Sequence, residues 1–250
     1  MLHLSSQAII LQTIDYAECD KIVSFYTEDF GRIKGIAKNA KRSQKRFGSA
    51  LEPFTHNEVF FVDKETHGLT RLERCRILNS FQEIAQDIKK VAFGNYFLEL
   101  VNTLTPEKER NPKIFSLLLY FIELLREKSF REDLMRIFEL RLFSLLGYQP
   151  QFLRCVICRQ EFSIQNSYKF SIKRGGIVCT KCQMRQPDLL PLSNGTIRIF
   201  QQAQNLALLK LNRIFFTPAE HEEGKLIFEK FLEYHIGKKP KSLDILEQLT

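Results

Sequence analysis

The sequence predicts an α+β chain: a small five-stranded β-barrel at the N-terminus, then a helical domain with a four-cysteine module set into it. Three observations predict it. Five short runs rich in β-branched and aromatic residues fill residues 1–80. From about Glu83 the apolar spacing changes to a helical period. Cys155, Cys158, Cys179 and Cys182 then form a Cys-x2-Cys-x20-Cys-x2-Cys pattern.

The strands come first. AIILQTI (Ala8–Ile14) and KIVSFYT (Lys21–Thr27) are joined by the polar DYAECD, and EDFG (Glu28–Gly31) reads as a tight turn in which Gly31 takes a positive φ. RIKGIA (Arg32–Ala37) is the third strand. LEPFTHNEVFFV (Leu51–Val62) is the fourth, with Pro53 confined to its start or an edge. KETHG (Lys64–Gly68) is a turn, and LTRLERCRIL (Leu69–Leu78) the fifth strand. An OB-fold is one closed barrel of five strands, and other small barrels fit the count equally well.

The helices follow. Glu83–Leu104 places Ile84, Ile88, Val91 and Ala92 at helical spacing, and Pro106 and Pro112 interrupt it. A second helix, from about Lys113 to Lys128, is apolar almost all round and is expected at the centre of a helical bundle. The third, REDLMRIFELRLFSLLG, puts Leu134, Ile137, Phe138, Leu142 and Leu145 on one stripe and ends at Gly147 before Pro150. Beyond Cys182, a helix starts with Ser193 or Asn194 as its cap, and another runs from Pro218 to Gly237. The expected division is a barrel over 1–80 and a helical domain over 81–250, with 153–186 as the inserted cysteine module.

Hydrophobic residues make up 44% of the chain, enough for an ordinary core. The opening residues lack a basic segment followed by a long apolar stretch, so no signal peptide is expected. The most apolar run, Ile114–Leu125, spans 12 residues and contains Glu123, short of the roughly 20 a membrane span needs. A cytoplasmic protein with reduced thiols is expected. The net charge of +8 suits a phosphate backbone or another acidic partner.

The cysteine spacing points to a structural metal site. Two Cys-x-x-Cys knuckles can each present two thiolates to one tetrahedral zinc, and twenty residues suffice for the hairpin that brings the knuckles together. Tyr168–Lys173 is a strand of that hairpin, and Gly175 and Gly176 allow the second knuckle its tight backbone. Paired disulfides, a thioredoxin-like redox pair and a catalytic zinc are the alternatives. A reducing compartment opposes the first, the absence of a βαβ setting the second. The third lacks an open coordination position, and there is no histidine between His67 and His221. Nor is there a Pro-Cys-x-x-Cys of deaminase type, because Val178 precedes Cys179. Cys19 and Cys75 are expected to be inert thiols.

The positive charge is concentrated. Arg32, Lys34, Lys38, Lys41, Arg42, Lys45 and Arg46 put seven cations in 15 positions with no acid among them, while the rest of residues 1–80 holds five Lys/Arg against ten Asp/Glu. On a flexible loop leaving the third strand they would bind DNA by neutralising phosphates, without reading sequence. The alternative is a merely solvated loop. Phe25, Tyr26, Phe30 and Phe47 lie nearby as candidate stacking surfaces, whereas Phe60 and Phe61 are assigned to the core. Contact by about five of the cations predicts a salt slope of about −3 to −4 for a single strand.

Seven stretches carry a family resemblance. Glu18–Lys21, Thr27–Arg32, the basic loop Lys38–Arg46 and Leu51–Phe54 resemble, in order, the N-terminal barrel of the RecO family of bacterial recombination mediators. RLFSLLGYQPQFLRCVIC, GGIVCTKC and HIGKKPKSLDIL resemble its later segments. Asn39 departs from the pattern, standing where a Lys-Gly-Ala turn would have glycine. The resemblance implies an N-terminal OB-fold, a zinc module, and binding to single- and double-stranded DNA. It also implies annealing of complementary strands and cooperation with RecR in loading RecA on strands coated by single-strand binding protein, near the nucleoid. No catalytic group is required; there is no Walker loop and no paired-carboxylate metal motif. Arg126, Arg131, Arg136 and Arg141 are candidate receivers of an acidic tail, or else solvated helix charge. The rival readings are an interaction scaffold whose basic loop meets an acidic protein and, more remotely, a zinc hydrolase or deaminase.

Overall fold

The structure, a computed structural model of the chain, describes residues 2–63, 69–127, 130–184, 188–237 and 239–249. The expected Lys64–Gly68 turn lies outside them. Strands β1 (Leu2–Tyr16), β2 (Asp20–Thr27), β3 (Gly31–Ala37), β4 (His56–Asp63) and β5 (Thr70–Asn79) close a barrel in the order β1-β2-β3-β5-β4, with β3 and β5 parallel. Of the closed barrels the sequence allowed, this five-stranded one has the form expected of an OB-fold. β1 extends further in both directions than Ala8–Ile14, because its first half pairs with β4 and its second with β2. β4 starts later than Leu51: residues before His56 are spent on turns, with Phe54 at φ 71.

Alternation sets the two faces of the barrel. Ile10, Val23, Phe25, Ile33, Val59, Phe61 and Leu72 fill the interior. Ile9 and Leu11 on β1, and Ser24 and Tyr26 on β2, face outward yet are also buried. The cover is α1 (Ile88–Leu104) and α2 (Pro112–Arg126), which pack on β1 and β2. The Ser24 hydroxyl donates to Asn102 Oδ1 at 2.6 Å, and Tyr26 Oη donates to the Asn111 carbonyl at 3.3 Å. α2 buries its apolar residues against the barrel and the neighbouring α1, not at the centre of a separate bundle. Asp87 caps α1 by accepting from the amides of Lys89 and Lys90, and the stretch expected to be helical from Glu83 begins instead as a 3-10 turn at Gln82–Gln86 that ends at this cap.

The chain packs as two compact units, residues 1–128 with 240–250, and residues 129–239. The final helix α7 (Lys241–Leu249) belongs to the first and packs on α1, where Glu99 accepts from the amides of Lys241 and Ser242. A carboxylate at a helix N-terminus satisfies donors that have no partner within the helix.

In the second unit α3 (Asp133–Leu145) packs against α5 (Asn194–Asn205) and α6 (Pro218–Ile236). The ends follow local chemistry. Ser193 caps α5 through the Thr196 amide, Thr217 and Glu220 form a capping box on α6, and Gly147 and Gly237 take positive φ at the C-terminal ends of α3 and α6. Between α3 and α5 lies a small antiparallel sheet, β7 (Gly176–Cys179), β6 (Tyr168–Ser171) and β8 (Leu189–Leu192), with the one-turn α4 (Thr180–Gln183) after β7. The hairpin of β6 and β7 fits the expected inserted module. β8 was not anticipated: LLPL carries a proline, and it pairs only on the edge of β6.

The four arginines proposed as receivers of an acidic tail are all engaged internally. Arg126 pairs with Glu83 at 3.1 Å. Arg131 pairs with Asp133 and donates to the Ile214 carbonyl. Arg141 donates to the carbonyls of Ala203, Gln204 and Leu206, and burial lowers its pKa. Arg136, 1% exposed, pairs with fully buried Glu139 at 3.1 Å. Arg131 and Arg141 tie the α3 region to loops and Arg136 is buried within α3, so for these three neither the acidic-tail reading nor the solvated one holds, while Arg126 stays exposed in a surface pair.

Candidate nucleic-acid interface and metal centre

The basic connection between β3 and β4 is a folded cap, not a flexible loop. Its 3-10 turn at Ala40–Arg42 starts after Asn39, and Ala40, Phe47 and Leu51 point into the barrel core. Asn39 lies at φ 55, and the Asp20 carboxylate accepts from its amide at 2.8 Å. Asparagine is among the few non-glycine residues at ease in that left-handed region, so the departure from the family's glycine keeps the turn. Downstream, the Cys75 amide of β5 donates to the Arg46 carbonyl at 3.0 Å, which lays the cap along the fifth strand.

The seven predicted cations divide by what they touch. Arg32 is committed to the fold: Nε donates to the Thr105 carbonyl at 2.9 Å and Nη1 pairs with Glu107 at 3.2 Å. Gly31 before it, at φ 67, abuts the Glu109 backbone, where an added Cβ would fall 1.9 Å from the carbonyl oxygen. The Gly-Arg of the turn therefore docks the α1–α2 connection. Arg46 braces the cap, donating to Ser43 Oγ and the Lys38 carbonyl and lying 5.0 Å over the Phe47 ring. Lys41 pairs with Asp15 at 3.1 Å. Lys34, Lys38, Arg42 and Lys45 are exposed and have no ion pair or side-chain hydrogen bond among the described residues. Four cations are thus free to meet an anion, with Lys41 available at the cost of one exposed pair.

The aromatic expectation is corrected. Phe25, Tyr26 and Phe47 are buried at 0%, 1% and 3% exposure, and Phe30 packs edge-on against Phe61 in the core. Tyr26 is held un-ionised, its pKa raised by burial and then by the Glu109 charge. None of the four can stack a base. Phe61 is core as expected, but Phe60 is only half-buried, with Arg74 Cζ 3.9 Å from its ring centre. Arg71 and Arg74 on β5 are exposed and unpaired among the described residues, and lie beside the cap. Their signal in the sequence was the density of arginine in TRLERCRIL, masked there by the glutamate between them.

The cysteines converge. The sulfur atoms of Cys155, Cys158, Cys179 and Cys182 lie within 4.8 Å of one another, with Cys158 Sγ 3.6 Å from Cys179 Sγ. A tetrahedron of about 2.3 Å metal–sulfur bonds has edges of about 3.8 Å, so the donor set fits one ion. No cysteine is in a disulfide. The Arg159 amide donates to the Cys155 carbonyl, closing the first knuckle with Arg159 at φ 65. The second knuckle needs its glycines: Gly175 lies at φ 63, and a Cβ on Gly176 would fall 2.7 Å from the Gln151 carbonyl.

The electrostatics agree. Burial pushes the Cys155 thiol up, but hydrogen bonds from the amides of Cys179, Cys158 and Ile157 outweigh it and bring it to about 6. Cys182 is pushed up to about 12, by desolvation and then by hydrogen bonds to Cys158 and Cys179 and the Cys155 charge. Cys179 is raised, first by burial. One thiolate forms readily and its neighbours resist, so full ionisation calls for a cation among them. The cluster can hold a metal ion. Cys75, outside it, is pushed up to about 12 by burial in the barrel core and is inert, as expected.

Comparison with known proteins decides the family. Residues 1–81 match the family model for Recombination protein O N terminal, and residues 85–244 that for Recombination protein O C terminal. The chain belongs to the RecO family. It is 34% identical to DNA repair protein RecO of Syntrophus aciditrophicus (strain SB), over 98% of this chain and 95% of that protein. It is 35% identical to the DNA repair protein RecO of Desulfosudis oleivorans, covering 98% and 97%. The Halalkalibacterium halodurans protein of that name is 30% identical, covering 100% and 96%. As a RecO-family chain it is a DNA repair and recombination protein, and no helix among its described residues is long and apolar enough to cross a membrane.

Proposed function

We propose that this RecO-family chain binds single- and double-stranded DNA without sequence preference through its barrel, residues 1–80, and anneals complementary strands. With RecR it helps load RecA on strands coated by single-strand binding protein, near the nucleoid. The cations are Lys34, Lys38, Arg42 and Lys45, with Lys41 joining when its pair with Asp15 opens. Arg32 and Arg46 hold the surface in shape. The observation that carries the reading is a set of exposed cations, unpaired among the described residues, on an ordered cap and the strand that leads into it. A folded cap holds its charges together before DNA arrives, so little ordering entropy opposes binding.

Annealing needs neutralised phosphates and free base edges, and the exposed cations supply charge without reading bases. No bond is made or broken, so the role is not enzymatic. The four cysteines hold a structural zinc that fixes the β6–β7 hairpin and its knuckles; four thiolates close the shell and leave no position for a substrate. Mixing two complementary oligonucleotides, with and without single-strand binding protein, tests the reading. Annealing faster than the spontaneous rate supports it. A protein that fails to bind a labelled poly-T strand would instead be the scaffold for an acidic protein.

A further inference from the structure

The outer face of β4 and β5 carries a feature that charge alone does not explain. Arg74 is exposed, forms no ion pair or hydrogen bond among the described residues, and lies against the half-buried Phe60 ring at 3.9 Å. At that distance the guanidinium is in contact with the ring, while the residue as a whole is exposed. Arg76, the next outward residue, is neutralised by Glu58 at 2.7 Å, and Glu73 faces His3 at 3.2 Å. Arg74 thus remains an available cation between paired neighbours, held over the Phe60 ring where a free arginine would sample many rotamers. The Cys75 amide bonds the Arg46 carbonyl, so the platform adjoins the basic cap. Phe25, Tyr26 and Phe47 are buried, and Tyr16, though exposed at the end of β1, has no cation over its ring among the described residues, so Phe60 is the barrel aromatic that carries an unpaired arginine beside the free cations.

We infer that the Phe60–Arg74 pair is a stacking platform for one unpaired base of a single DNA strand, whose phosphates run onto the cap. The inference rests on the proposed DNA-binding role and adds a single-strand preference to it. A planar guanidinium stacks on any base, so the platform reads no sequence. In a duplex the bases are stacked on each other, so the platform gains nothing from it.

Arg74→Lys keeps the charge and removes the plane; Phe60→Leu keeps the apolar bulk and removes the ring. Binding is measured by fluorescence anisotropy against a poly-T strand, an abasic strand of equal length and a duplex. One stacked base is worth about 1–3 kcal/mol, or roughly 5- to 150-fold in affinity. Each variant is expected to lose that much on poly-T, with its salt slope unchanged, and to bind the abasic strand and the duplex as the parent does. Wild-type affinity of both variants for poly-T overturns the platform, as does an equal loss on all three ligands. Failure of the unsubstituted protein to bind any strand overturns the DNA-binding role itself, and the platform with it. Unchanged melting temperature identifies the losses as losses of contact.

Discussion

Replacing Lys38, Arg42 and Lys45 together by alanine separates charges that meet DNA from charges that build the cap. These three side chains are exposed and touch no partner among the described residues, so their loss leaves the fold alone. Each phosphate contact to a single strand contributes about −0.7 to the slope of log K against log salt, so removing three flattens it by about 2. Referred to 1 M salt, the same three contacts are worth about two decades of affinity at 0.1 M, or about 3 kcal/mol. The assay is anisotropy with labelled poly-T from 50 mM to 300 mM salt. Arg46→Ala is the contrast. It removes hydrogen bonds to Ser43 and the Lys38 carbonyl and the contact with Phe47, so it is expected to lower the melting temperature. A triple variant whose slope equals the parent's removes the cap from the interface and refutes the argument, however much affinity is lost.

Other outcomes follow from single features. Cys158→Ser is expected to lower metal content from one zinc per chain toward none, with the cobalt-substituted protein losing its four-thiolate charge-transfer spectrum; a full zinc complement in that variant contradicts the shared site. Glu139→Gln leaves the Arg136 guanidinium buried without its counter-charge and is expected to cost about 3–5 kcal/mol in urea denaturation, whereas replacing both by Met and Leu costs much less; equal costs contradict the pairing. Gly31→Ala combines a positive φ with a collision against the Glu109 carbonyl, so a loss above about 1 kcal/mol is expected, and a neutral effect shows that the α1–α2 connection is not held there. His56, half-buried beside Phe115, has its pKa lowered by burial, so the unfolded chain takes up its proton first. Stability is then complete above about pH 6.5 and falls as pH drops below it, and His56→Asn is expected to flatten that fall in denaturation midpoints measured between pH 8 and 5.5.

Much of this was legible in the sequence because its signals are local. The strands, the third helix, the Ser193 cap, the positive φ of Gly31 and the converging cysteines each depend on a few neighbouring residues. What was not legible depends on partners distant in the chain. Tyr26 and Phe25 look alike as exposed aromatics until α1 and α2 cover one side of the barrel and its interior takes the other. Arg32 looks like any cation of the basic run until Thr105 and Glu107, more than 70 residues on, claim it. The cap looked flexible because its residues are polar, but Ala40, Phe47 and Leu51 are enough to anchor it.

The family resemblance and the proposed function overlap in the basic loop Lys38–Arg46, whereas the other resembling stretches hold residues that shape the fold. Thr27 Oγ1 donates to the Gly31 carbonyl and accepts from the Phe30 amide, Gly31 and Arg32 dock residues 105–109, and Phe54 lies against Gly94. Gly175 and Gly176 let the second knuckle pass Gln151. Each of these is a steric or hydrogen-bonding demand that fixes both a residue type and its position, which is why it can be recognised as a motif. Binding phosphates makes no such demand. Any exposed cation on the cap serves, so the function is written as a local excess of charge with no fixed spacing. Composition can then locate the surface, but only the packing around each side chain tells which cations remain free to use it.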